Sequence, residues 1–190
     1  MKFNKKYLLE GEIAGLFLCG MPNSIESTPC SQLELDINGI IGDKHYGFQR
    51  PSGVRETNFY PKGTTIRNNR QWSAISAEEL DKVTQKMNVS HLQSEWLGAN
   101  ILFKGIPNFS KLPTFSLIIV RPDTPDSVTL VNYCENEPCM GPHKRIVEHL
   151  KMEPQLGFIA AAYGQRGTVG WVEKGGIIRV GDKVRVYIPT

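Results

Sequence analysis

The sharpest chemical signal in the chain is a six-residue stretch, Cys134-Glu135-Asn136-Glu137-Pro138-Cys139. A cysteine in a polar, proline-flanked loop is placed to act as a nucleophile or a soft metal ligand, because loops carry function disproportionately. Gly141-Pro142 follow at once, and proline suits the opening of a helix. A thiol just ahead of a helix N-terminus meets unpaired N–H groups that favour its thiolate. His143, Lys144 and Arg145 add positive charge, and Glu135 and Glu137 oppose it. Cys134 ends an apolar run and reads either as packing or as a resolving thiol. Cys19, inside an apolar run, reads as a small buried hydrophobe. Zinc is the rival use. Four residues separate Cys134 from Cys139 and ten separate Cys19 from Cys30. Paired zinc ligands favour gaps of about two to four residues, so one pair fits marginally and the other does not.

A second constellation is basic. Lys44, His45, Arg50, Arg55, Arg67 and Arg70 fall in or beside glycine-punctuated loops of residues 39–73, with Asn68 and Asn69 among them. Guanidinium offers a planar fork of donors that matches phosphate or carboxylate. Any one of these residues alone reads as solvated surface; together they read as a small pocket for an anion. Asp43 and Asp182 each follow a glycine at a turn and read as caps of local backbone N–H groups. Trp72, Trp96 and Trp171 are widely spaced and read as packing.

The elements that must position these groups are mostly strands. Residues 7–19 read as a long strand, and 33–37 alternate with period two. Residues 48–65 carry Pro51, Gly53, Pro61 and Gly63 and read as an extended, mobile loop. Ser76 with Glu79 makes a capping box, and Leu80, Val83 and Met87 recur behind it at helical spacing. A short helical piece over 90–97 ends at Gly98. Strands follow at 99–103, 115–121 and 127–133. A helix with Pro142 in its first position runs to about residue 150, and another turn or two lies within 156–163. The tail, 168–188, gives two or three strands divided by Gly175-Gly176 and Gly181-Asp182. Many short strands with glycine turns and few helices predict a mostly β (α+β) fold, a closed or nearly closed β-barrel with helices packed outside.

Bulk properties narrow the function. The chain has 190 residues, 40% hydrophobic and 22% charged, which gives one domain over 1–190 with a real core rather than a disordered segment. The net charge of +3 and isoelectric point near 8.6 fit a small basic pocket better than a nucleic-acid surface, for which a value above about 9 is usual. Lys2, Lys5 and Lys6 imitate the start of an export signal, but the apolar stretch behind them, 13–21, is preceded by Glu10 and Glu12 and is too short to span a bilayer. The reading is a soluble cytoplasmic protein whose four cysteines are free thiols.

Several of these segments resemble, in order, the blocks of MOSC domains, named for the C-terminal domain of molybdenum cofactor sulfurases. Gly39-Ile40-Ile41-Gly42-Asp43-Lys44-His45-Tyr46-Gly47 is similar to the early glycine–aspartate–histidine motif. Asn69-Arg70-Gln71, leading into Ile75-Ser76-Ala77-Glu78-Glu79-Leu80, resembles the next block. Leu97-Gly98-Ala99-Asn100-Ile101 and Leu112-Pro113 resemble the two after it. Asn136-Glu137-Pro138-Cys139 is similar to the cysteine motif, and Arg166-Gly167 through Gly175-Gly176-Ile177-Ile178 to Gly181-Asp182-Lys183-Val184 resembles the closing strands.

The resemblance implies a β-barrel, a sulfur- or molybdenum-related role and a functional cysteine at Cys139, carrying sulfur as a persulfide or ligating molybdenum. It implies molybdopterin as cofactor, with Lys44, His45, Arg67, Arg70 and Asn136 binding it. As an enzyme, such a protein would reduce N-hydroxylated compounds, with a small-molecule substrate and a cysteine desulfurase or an electron-donor reductase as partner. No desulfurase domain precedes the resemblance here, so sulfur would come from elsewhere. The second reading is a non-enzymatic β-barrel binding module for RNA or a protein partner. The basic loops motivate it, and the scarcity of exposed aromatic residues among them counts against it.

Overall fold

In the computed structural model, residues 8–21 and 24–189 are described; the lysine-rich start and the expected strand position at Tyr7 lie outside them. The long first strand forms as β1 (Leu9–Leu18), followed by β2 (Thr28–Cys30), β3 (Gln32–Asp36) and β4 (Gly39–Ile40). Period-two alternation works as expected on β3, where Leu33 and Leu35 are buried and their neighbours are not. Next come β5 (Gln49–Pro51), β6 (Thr65–Arg67), β7 (Trp72–Ser76), helix α1 (Ala77–Met87), β8 (Ile101–Lys104), β9 (Leu117–Val120) and β10 (Val128–Glu135). Helices α2 (Met140–Leu150) and α3 (Phe158–Ala161) precede β11 (Thr168–Lys174), β12 (Gly176–Arg179) and β13 (Lys183–Tyr187).

Seven strands close a barrel in the order β1, β13, β9, β10, β11, β7, β8 and back to β1, with β2 paired to the end of β1 at Leu16–Leu18. Closure comes from β1 meeting both β13, at Leu9 opposite Val186, and β8, at Leu16 opposite Ile101. Every pairing in the ring is antiparallel except β7 with β8, whose connection runs through α1. β12, β3 and β4 form a small sheet of their own.

Two apolar clusters follow from the strand faces. On β7, Trp72 and Ala74 belong to the barrel interior with Ile13, Phe103 and Val186, while Ile75 packs outward with Leu80, Val83 and Met87 of α1 and Ile146 of α2. The helices are held by this outer cluster and lie against the barrel wall.

The cap of α1 is half of the expected box. Ser76 Oγ accepts from Glu79 N at 3.2 Å, but the Glu79 carboxylate does not return to Ser76. It is buried and accepts instead from Ser110 N and Oγ, at 2.9 and 2.8 Å. Residues 48–65, expected as an extended, mobile loop, fold back on themselves. β5 and β6 pair as an antiparallel hairpin, and a short 3-10 turn, Val54–Glu56, folds back so that Arg50 reaches Glu56 at 2.5 Å. Ser52 N donates to Thr64 O at 2.7 Å and Ser52 Oγ to Pro61 O at 2.8 Å. These bonds are specific to side chains rather than to a period, so glycine and proline spacing could not announce them.

Candidate functional site

The loop after β10 delivers Cys139 to the start of α2, and the helix begins earlier than Pro142 suggested. Met140 is its first residue and Cys139, with extended backbone, its N-cap; the side chain makes no capping bond. Its sulfur is therefore not consumed by the helix, while the helix N-terminus places positive partial charge beside it. Cys139 is exposed, in contrast to Cys19, which is buried with its Sγ 3.4 Å from Ser24 O and 3.3 Å from Glu26 O.

A cleft of ≈ 330 Å³ opens at Cys139 and is walled by Lys44, His45, Arg55, Arg70, Asn136 and Arg166. That size lies within the range of small-ligand sites. The cysteine motif, the glycine–aspartate–histidine loop and the loop after β6, far apart in sequence, thus meet on one site. Of the six residues proposed from the sequence, Lys44, His45, Arg70, Asn136 and Cys139 share this cleft. Arg67 does not. It lies on β6 with its guanidinium 4.8 Å above the Phe48 ring and 5.7 Å from Trp171, facing a neighbouring cavity.

The first wall is set by Asp43. Its Oδ2 accepts from Cys19 N at 3.1 Å and Asn100 Nδ2 at 2.8 Å, and its Oδ1 accepts from His45 N at 2.9 Å. The His45 ring nitrogen Nδ1 lies 2.9 Å from the same oxygen. Burial pushes this carboxyl up, but the hydrogen bonds and charge of His45 outweigh it and leave Asp43 below the ordinary range. Lys44 is anchored by its ammonium on Ser24 O, and its backbone N donates to Cys19 O at 2.8 Å.

The opposite wall is arginine. Arg70 Nη2 donates to Asn136 Oδ1 at 2.9 Å, and its Nη1 lies 4.0 Å from Cys134 Sγ. Burial lowers its pKa, and the nearby charge of Arg55 lowers it further. Cys134 is half-buried, and burial raises its thiol against the pull of Arg70. Arg166 was not singled out from the sequence as a site residue. It is only 4% exposed; Nη2 donates to Leu97 O, and Nη1 has no hydrogen-bond partner among the described residues. Burial brings its guanidinium down to about 10, with Cys139 acting in the opposite sense. It stays charged at neutral pH, so a buried cation lines the cleft that holds the cysteine. Its sequence signals are its place at the head of the block that resembles the closing strands and a charge set between two apolar stretches, and neither marks it as a ligand residue.

Gly167 has a structural task here. Its φ of +86° is the left-handed region, and a Cβ would fall 1.9 Å from Ala74 O of β7. Its carbonyl accepts from Asn136 N at 2.8 Å, which fixes the start of the cysteine loop.

Among the described residues no three His, Cys, Asp or Glu side chains converge in the way a metal held by the protein alone would need. Nor is any helix among them long and apolar enough to cross a membrane. The aromatic residues expected to be scarce beside the basic loops are present there: Phe59 and Tyr60 are exposed on the hairpin between Arg55 and Arg67.

The MOSC domain model matches residues 61–185. The chain is 35% identical over 175 residues to YuaD of Bacillus subtilis (strain 168), whose name places it provisionally among metal-sulfur cluster biosynthesis proteins; the match covers 91% of this chain and 88% of that one. The crystal structure of the YuaD protein from Bacillus subtilis aligns with a TM-score of 0.90 at 32% identity, over the whole of both chains. YiiM from Geobacillus stearothermophilus shares the fold, with a TM-score of 0.61 at 13% identity over 94% of this chain and 75% of its own. The family model covers well over half of the chain and the relative is matched over nearly all of it: the chain belongs to the MOSC domain family.

Proposed function

We propose that this protein holds a phosphate-bearing molybdenum or sulfur ligand of the molybdopterin class in the Cys139 cleft, with the Cys139 sulfur as its soft donor. Family membership gives the general molybdenum- and sulfur-related role. The observation that carries the finer reading is Arg166: a buried guanidinium whose Nη1 has no partner among the described residues, lining a cleft that also holds Lys44, His45 and Arg70. A buried unpaired donor is costly, and an anion satisfies it. Arg166, Arg70 and Lys44 would bind the phosphate, Asn136 and His45 would orient the ligand, and Cys139 would supply thiolate to molybdenum, a soft pairing. When bound, the metal centre would supply two-electron redox chemistry, the kind needed to reduce N-hydroxylated compounds with a reductase as electron donor.

The same sulfur serves a carrier role without a metal. A donor persulfide, such as that of a cysteine desulfurase, would pass its outer sulfur to the Cys139 thiolate and leave as a thiolate, with no oxidant consumed. A reducing cytoplasm suits both uses.

The test is molybdenum content and oxidised-pterin fluorescence of protein purified anaerobically from a host that makes molybdenum cofactor. Wild type is compared with Cys139→Ser and Cys19→Ser. Molybdenum and pterin in wild type and Cys19→Ser, lost in Cys139→Ser, is the expected result. Their absence from all three removes the cofactor reading, and the mass of an added sulfur on Cys139 then decides the carrier role. Equal loss in both variants sinks the assignment of Cys139.

A further inference from the structure

The β5–β6 hairpin walls a second cavity, of ≈ 570 Å³, beside the Cys139 cleft. Arg55 and Arg70 line both spaces and so join them. Four guanidinium groups, from Arg50, Arg55, Arg67 and Arg70, face this cavity against one carboxylate, Glu56. That carboxylate is already engaged. Arg50 binds it, Gly53 N donates to it at 2.7 Å, and the two hold it down to about 2. Arg55 and Arg67 make no ion pair among the described residues. Cations gathered in one concavity repel each other, and the repulsion turns to attraction once an anion enters.

The cavity also has aromatic walls. Phe59 and Tyr60 stand 79% and 46% exposed at its lip, their rings 6.4 Å apart and tilted by 53°. Tyr133 of β10 lines it as well. Exposed rings beside arginines form a surface on which another flat ring can stack.

We propose that this cavity is a subsite for a planar aromatic anion, a ring bearing phosphate or carboxylate. Arg55 and Arg67 hold the charge and Tyr60 and Tyr133 hold the ring. Its place in catalysis, as the seat of the substrate or of an extended ligand, rests on the reading of the Cys139 cleft; the binding itself does not. A nucleic-acid strand is the poorer occupant, because the chain's net charge is only +3.

The experiment titrates the purified protein with adenosine 5′-monophosphate, 4-hydroxybenzoate and inorganic phosphate. Tryptophan fluorescence reports, since Trp171 lies under Arg67, and calorimetry gives the affinities. A ring-bearing probe binds about tenfold or more tightly than inorganic phosphate, and Arg67→Ala and Tyr60→Ala each weaken it about tenfold. Whichever of the two ring probes binds better separates the phosphate source from the carboxylate source. Equal binding of ringed and ringless anions overturns the proposal. So does unchanged affinity in both variants, or a ten-nucleotide oligothymidylate that binds far better than the monophosphate and is displaced steeply by salt. Because the titration uses protein without added cofactor, its failure is distinct from a failure of Cys139 to retain molybdenum.

Discussion

Arg70 donates through Nη2 to Asn136 Oδ1 at 2.9 Å, a bond that spans 66 positions of sequence and ties the loop after β6 to the loop that carries Cys139. Arg70 and the loop that carries Cys139 are thereby one mechanical unit. Arg70→Ala is expected to weaken binding of inorganic phosphate to the cleft about tenfold, because it removes a fork of charged donors. Asn136→Ala leaves the charge in place and loosens only its aim, so its loss is smaller. Calorimetric titration checks the order; an Arg70→Ala variant that binds phosphate like wild type contradicts it.

The three cysteines around the site differ in reach. Cys139 is exposed, Cys134 is half-buried with a raised thiol pKa, and Cys19 is buried among carbonyls. Thiolate fraction and access both set alkylation rate. Limited iodoacetamide treatment at neutral pH, followed by peptide mass spectrometry, is expected to label Cys139 first, Cys134 roughly tenfold more slowly and Cys19 last. Labelling of Cys19 as fast as Cys139 in the folded protein would show that the Asp43 wall opens.

Two buried carboxylates give opposite pH signs. Asp43 has a lowered pKa in the fold, so its stabilisation is complete above its unfolded value of about 3.9 and is lost as pH falls through the folded one. Glu79 is raised, chiefly by burial, so its contribution is complete below about 4.3 and is lost as pH rises through its folded value. Thermal melts from pH 3 to 7 should show Asp43→Asn about 2 kcal/mol below wild type at neutral pH and converging with it in acid. Glu79→Gln should gain on wild type as pH rises past about 4.3. Curves that run parallel to wild type would remove both assignments.

Gly167→Ala should be among the most damaging single-methyl changes in the chain. The added carbon meets the Ala74 carbonyl, and the backbone angle is one that alanine disfavours. A loss of about 3 kcal/mol or more in urea denaturation is expected, and a loss below about 1 kcal/mol would mean that β11 and β7 can move apart.

Much of this was legible in the residues, and the gaps have physical reasons. Alternation at Leu33 and Leu35 and the cap at Ser76 are local signals, and the strands and helix they announce formed. Closure of the ring is a long-range pairing of residues 9–12 with 183–186, which no local period encodes. Lys44, His45, Arg70, Asn136 and Cys139 could be grouped by residue type and family blocks. Arg67, three positions from Arg70, could not be separated from it by composition, because only the packed structure shows that Arg70 borders both cavities while Arg67, at the end of β6, borders the second and not the Cys139 cleft. Arg166 escaped because a charged side chain reads as surface; only the packed structure reveals that it is buried.

Seven is an odd number, and strands that alternate direction around a closed ring must be even. Parity therefore obliges a ring of seven to contain at least one pair running the same way, and here that seam is β7 with β8. Neighbours that point alike cannot be joined by a tight turn, so the chain leaves the wall through α1 and returns past Leu97 and Gly98. Trp72, Ser73, Leu97 and Gly98 from this seam and its return all line the Cys139 cleft, and Leu97 O holds Arg166. The Cys139 cleft thus borders the seam where the barrel's arithmetic forbids it to be regular.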